Sequence, residues 1–229
     1  MRLISIIKGT TVNASRPSAP FGYLPKVIAE VAAHYEFAEY PTDISKLIPH
    51  GEEEAESPAV FRHGRVTIMG RSLLIGELQI FQNGTIVSTP GPTTDSDMIT
   101  ENIFLWAMEH YNLRFETIKP LAHLSELEVR FERQLPDLFS PLKEIAIAIN
   151  KGLGPFWENM PPYEMSALHF GIDSTMAPTN NSGIFRIERR AGMPFEQGLY
   201  FCEAAMPTDT HLKILESFER ICLENFAKG

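Results

Sequence analysis

Cysteine is scarce in this 229-residue chain: only Cys202 and Cys222 occur, with no CxxC pair and no histidine-rich surroundings. That excludes a disulfide framework or a cysteine zinc site, and both residues read as small buried hydrophobes or ordinary thiols. Long apolar runs are missing too, since nothing approaches the roughly 18 residues that span a bilayer. Leu3 to Ile7 is too short for a signal-peptide core and runs into the polar stretch Lys8 to Asn13. A cytoplasmic address is the expectation. Basic charge is in deficit, with 20 Lys and Arg against 29 Asp and Glu, a net charge of −9. The deficit is spread: residues 1–113 hold 13 acidic and 8 basic side chains, and the remainder holds 16 and 12. Nucleic acid is therefore disfavoured, because its phosphates are bound by a basic face. A protein surface or a small molecule suits an acidic chain better.

The common catalytic and cofactor fingerprints are also missing. No strand is followed by GxGxxG, and no phosphate loop, HExxH, GxSxG elbow or EF-hand loop occurs. The seven histidines are scattered, with no pair at i, i+4 to face one metal. No cofactor and no metal are expected.

What is present is an ordinary globular composition, 44% hydrophobic and 21% charged. Leu3 to Lys8 predicts a strand, and Gly9 to Gly22, rich in Thr, Ser, Pro and Gly, a loop. Val27, Ile28, Val31, Ala32 and Tyr35 give a helix its inner face. Ala59 to Arg62 and Arg65 to Ile68 predict a hairpin around His63-Gly64, and Leu73 to Gln82 and Thr85 to Thr89 a second around Asn83-Gly84. Thr94 or Asp95 caps a helix to about Asn112, with Ile99, Ile103, Trp106 and Met108 inward. The order then recurs. Glu126 to Glu132 alternates Leu127, Val129 and Phe131, and a helix opens at Ser140-Pro141 with Leu142, Ile145, Ala146 and Ile149 inward. Strands follow at Met165 to Ile172, Ile184 to Arg190 and Leu199 to Ala204. Pro207-Thr208 opens a last helix with Leu212, Leu215, Phe218 and Ile221 at three-residue spacing.

The fold class is thus α+β: two similar halves, each strand, helix, antiparallel sheet of three or four strands and helix, with the helices on one face. The boundary falls at 113/114, dividing 1–113 from 114–229, unless the two pack as one domain. Residue identities do not repeat between the halves; only the element order does.

Four places could carry function. His169 on its strand, with Asp173 four residues on, is a candidate catalytic pair; a hydrogen-bonded structural histidine is the plainer reading. Arg62 and Arg65 across a tight His63-Gly64 turn would repel unless an anion or carboxylate lay between them, hence an anion-binding site or ordinary salt bridges. Phe156, Trp157, Met160 and Tyr163 in a proline-rich loop form either a plug over the sheet or a partner-binding patch. Arg186, Glu188 and Arg190 share a solvated strand face. The leading expectation is a non-catalytic binding protein that engages a protein partner or a second copy. The alternatives are a small-molecule site in a cleft between the halves, with Arg62 and Arg65 or His169 as contacts, and a hydrolase-like enzyme using His169.

Overall fold

In the computed structural model the described residues are 1–15, 25–43, 47, 57–115, 120–134, 140–153, 162–172 and 183–226. They form strands β1 (Arg2–Ala14), β2 (Ala59–Ile68), β3 (Arg71–Phe81), β4 (Gly84–Thr89), β5 (Pro120–Arg130), β6 (Ala167–Phe170), β7 (Phe185–Arg189) and β8 (Leu199–Ala204). The helices are α1 (Pro25–His34), α2 (Thr93–Tyr111), α3 (Ser140–Leu153) and α4 (Thr208–Phe226), so the chain is α+β. Instead of separate small sheets, all eight strands enter one, in the order β2-β3-β4-β1-β5-β8-β7-β6. The five neighbouring pairs with described registers are antiparallel. Two compact units divide the chain: residues 6–126 with 205–208, and residues 1–5 with 127–204 and 209–229.

In the first unit, α1 buries Val27, Ile28, Val31, Ala32 and Tyr35, the stripe its periodicity predicts. They meet Phe61, Leu78 and Val87 of the sheet and Ile99 and Ile103 of α2 in one apolar core. The inner face of α2 is otherwise unlike its prediction. Thr93, Ser96, Thr100 and Phe104 complete it, whereas Met108 is exposed. No side chain caps α2 at Pro92 or at the expected Thr94 or Asp95. Instead the Thr93 amide donates to the Thr208 hydroxyl at 3.0 Å, and the Thr208 amide donates to the Thr93 hydroxyl at 2.9 Å. Each threonine satisfies a first-turn amide of the other's helix, amides that have no partner within their own helix.

Two turn assignments change. His63-Gly64 is no turn: β2 runs through it, and the hairpin closes at Met69-Gly70, between paired Ile68 and Arg71. Met69 and Gly70 have φ of 50° and 77°, the left-handed pair that a two-residue hairpin demands. The sequence hid this turn because methionine seldom takes positive φ. The expected inward set Ala59, Phe61, Val66 and Ile68 nonetheless holds, as the buried positions of β2 shift phase between Phe61 and Gly64, where His63 has a φ of 57°. In the second hairpin Phe81 pairs with Gly84, so its loop is Gln82-Asn83 and neither residue has positive φ. Gly84 is needed for another reason: a Cβ there would lie 2.3 Å from the Asn13 carbonyl oxygen of β1.

In the second unit, Leu127, Val129 and Phe131 are buried as their alternation predicts. The inner stripe of α4 is His211, Leu215, Glu219 and Cys222 with Thr208, closer to the 3.6-residue period than the expected set, and Ile221 is exposed. Glu219 is buried as an acceptor for the Glu132 amide at 2.7 Å and as the ion-pair partner of the Met1 ammonium. Burial holds the thiols of both Cys202 and Cys222 in the protonated form, with Glu219 adding to the effect at Cys222.

Candidate functional site

The candidate catalytic histidine, His169, lies exposed on β6 opposite Arg186 of β7. No hydrogen bond or ion pair joins it to a described residue, and Asp173 lies outside the described residues. Arg62 and Arg65 do not face each other across a turn but stand three residues apart on β2. Arg62 donates to Glu77 at 2.9 Å and Arg65 to Glu36 at 3.0 Å. Each guanidinium thus has its own carboxylate. Arg65 also lines a polar cleft of about 590 Å³ with His34, Glu36, Thr67, Ser72 and Asn102.

Phe156, Trp157 and Met160 lie outside the described residues. Tyr163 is exposed, and its backbone is clamped by Asn150 of α3: the tyrosine amide donates to Oδ1 at 2.7 Å, and its carbonyl accepts from Nδ2 at 3.0 Å. The neighbouring surface is apolar. Ile145 and Ile149, expected to face inward, are 55% and 42% exposed, with Ile147 beside them. Phe170, the last residue of β6, and Ile172 just past it are each about half exposed, and Ile184 immediately precedes β7. The outer side of β6 pairs with no described strand, since β6 ends the sheet order. At the opposite edge, β2 is covered: Glu39 bridges Arg62, and the Arg65 amide donates to the Tyr35 carbonyl at 2.8 Å. Arg189, which alternation puts on the same strand face as Ile187, is buried with it. Its guanidinium donates to Glu164 at 2.9 Å, to Gln134 at 3.3 Å and to the Met165 carbonyl at 3.2 Å.

The first unit holds polar groups that sequence reasoning missed. Beneath α2, Thr11 of β1 donates to Asp97 at 2.7 Å and lies 2.7 Å from Ser96, and His123 Nε2 meets Asp97 at 2.9 Å. Proton accounting decides what this group can do. To bond a carboxylate, Nε2 must carry the proton, which leaves Nδ1 the lone pair in a neutral ring. The single Thr11 proton goes to the carboxylate, and the Ser96 hydroxyl donates to the Thr93 carbonyl at 2.9 Å. Thr11 and His123 thus meet the same carboxylate oxygen, Asp97 Oδ1, and among the described residues no hydrogen bond joins the hydroxyl to the imidazole. This is the wrong order for a nucleophile relay. Its signal in the sequence was the alternation Thr11, Asn13, Ser15 and the helical spacing Thr93, Ser96, Thr100.

Between α1 and α2 the Trp106 ring lies between two imidazoles, stacked on His34 at 4.7 Å and on His110 at 5.1 Å. Tyr111 donates to Glu30 at 2.5 Å, which holds the Glu30 carboxyl below its usual range. The His34 pKa is pulled below 6.5, first by lost hydration and then by His110. A histidine with a lowered folded pKa favours the neutral ring, so its contribution to stability is present at neutral pH and is lost as pH falls below about 6.5. We expect the His34 ring to titrate in NMR below the ordinary midpoint, and His110→Gln to move it upward. A His34 midpoint at or above the ordinary value would contradict this.

Among the described residues no group of three His, Cys, Asp or Glu is placed to hold a metal ion, and no helix is long and apolar enough to cross a membrane. No family model matches the chain, and no curated protein matches it significantly.

Proposed function

We propose that this chain is a non-catalytic binding protein whose partner is another protein, taken as an extended segment alongside β6. The observation that carries this is the combination of an edge strand that no described residue covers with half-exposed Phe170 and Ile172 at and just past its end. An edge strand offers a row of unpaired backbone groups, and folded chains usually blunt it with charge, proline or a covering segment, as the segment after α1 covers β2 here. Large apolar side chains beside an open edge are costly unless something covers them. Strand addition does so: backbone hydrogen bonds supply affinity, and alternate side chains pack on the exposed rings. The net charge of −9 favours approach of a basic partner. The absence of a hydroxyl-to-imidazole relay in the Thr11–Asp97–His123 group argues against a hydrolase there. A cytoplasmic setting accords with two buried free thiols.

The reading includes a duplicated architecture. Exchanging β1–β4 for β5–β8 in turn reverses the strand order into itself, and Thr93 and Thr208 play equivalent parts at the first residues of α2 and α4. A photo-crosslinking residue placed at His169 tests the partner site in lysate of the source organism. We expect a discrete adduct containing a second polypeptide, absent when the crosslinker replaces the exposed Lys26 and lost when Ala167→Pro removes an edge amide. That amide points away from β7, because the ladder bonds fall at Ser166–Arg189 and alternate from there. A second copy of this chain as the adduct would make the partner a homodimer; no adduct from position 169 overturns the proposal.

A further inference from the structure

A separate cleft in the first unit opens between α1, α2 and the β3–β4 hairpin. Its empty space is about 560 Å³ with open solvent included, and as a cavity it measures about 50 Å³. Tyr35, Phe81, Phe104, Trp106, Tyr111 and Phe115 make its wall largely aromatic, and among the described residues no Asp, Glu, Lys, Arg or His lines it. Two of its hydroxyls stand out. Ser15 and Thr85 are both 6% exposed and line the cavity, yet neither Oγ nor Oγ1 has a hydrogen-bond partner among the described residues. Asn13, directly across from Thr85 in the β1–β4 register, is 2% exposed, and both atoms of its amide lack partners too. The phenol groups of Tyr35 and Tyr111, by contrast, are already engaged by Asn102 and Glu30.

Buried polar atoms without partners are few in native proteins, because each loses its hydration with nothing in exchange. Four such atoms on three adjacent residues mark a place where hydrogen-bonding matter belongs. That cavity volume is too small to enclose a whole ligand, since about 150 Å³ is needed to admit benzene, yet it exceeds what one water needs. A molecule held there therefore inserts one end and leaves its body among the aromatic rings of the mouth. With no charge in the lining, a charged end group would be desolvated without compensation.

We infer that this cleft is a binding site for a small uncharged amphiphile: an aromatic or short aliphatic body carrying one hydroxyl, amide or carbonyl group, which bonds Ser15 and Thr85. The site is independent of the β6 edge. The test uses the full chain with phenol as the probe, toluene as its apolar counterpart and benzoate as its charged one, followed by amide and indole NMR shifts. Phenol shifts Ser15, Thr85 and Trp106 saturably at millimolar concentration, toluene binds more weakly and benzoate not at all. Thr85→Val keeps the shape and removes one hydroxyl, so phenol weakens about tenfold while toluene is unchanged, the effect of one hydrogen bond of ~1.4 kcal/mol. If that variant does not fold, Ser15→Ala serves the same comparison. Ala107→Phe fills the cleft and abolishes both. No saturable phenol shift, a stronger shift with benzoate, or equal losses for phenol and toluene in the hydroxyl variants overturns the inference; displacement of ordered water alone, with no preference for phenol over toluene, does so as well.

Discussion

Gly9→Ala will cost about 3 kcal/mol of stability or more, placing the variant near or below the folding threshold. A Cβ at position 9 would lie 2.5 Å from the Gly91 carbonyl oxygen, 2.6 Å from the Pro92 carbonyl carbon and 2.6 Å from the Thr93 amide nitrogen. All three are backbone atoms at the entry to α2, so no flexible side chain can swing away. Relief would require moving β1 off β4, breaking the Gly9–Thr89 pairing, or shifting the helix start that exchanges hydrogen bonds with Thr208. The measurement is a urea titration, with Gly152→Ala as the counterpart. Gly152 lies in α3 with nothing within 4 Å of its added Cβ. That substitution therefore gains several tenths of a kcal/mol from helix propensity. A Gly9→Ala midpoint within error of the unsubstituted protein would show that the β1–α2 approach is looser than described.

Arg189→Ala should destabilise by about 2–3 kcal/mol, through the lost packing of its buried stem and the hydrogen bonds that it donates. The side chain is 6% exposed while Glu164 is 37% exposed, so the carboxylate can turn to water but the Met165 carbonyl and the space left by the arginine stem cannot be compensated in the same way. Arg189→Met separates the contributions, because it preserves most of the stem volume and removes the charge and its donors. We expect it to lose less than half as much as alanine. Chemical denaturation of both variants decides the point, and equal losses would place the whole effect in the hydrogen bonds.

Much of the fold was legible because it depends on local pattern. The alternation of Leu127, Val129 and Phe131 and the spacing of Val27, Ile28, Val31, Ala32 and Tyr35 each bury one face, and those residues are buried. The candidate sites were less legible because their chemistry depends on which strands become neighbours. Arg62 is paired by Glu77, fifteen residues away, and Arg65 by Glu36, twenty-nine away. Neither distance follows from a motif. Arg189 shares the face of Ile187 by alternation, but its partners Glu164 and the Met165 carbonyl, 25 and 24 residues back, follow from no motif.

The same division holds at the level of whole elements. Sequence alone determined the α+β class, the acidic character, the scarcity of cysteine and most helix positions, because these follow from composition and from periodicities within one element. Tertiary structure decided that Gly9 to Ala14, polar enough to read as loop, continues β1 by pairing with β4. It also placed the left-handed turn at Met69-Gly70, left Ile145 and Ile149 of α3 exposed, and gathered Thr11, Asp97 and His123 beneath α2. Each outcome depends on a partner far along the chain, whose backbone and side chains determine which local preference prevails.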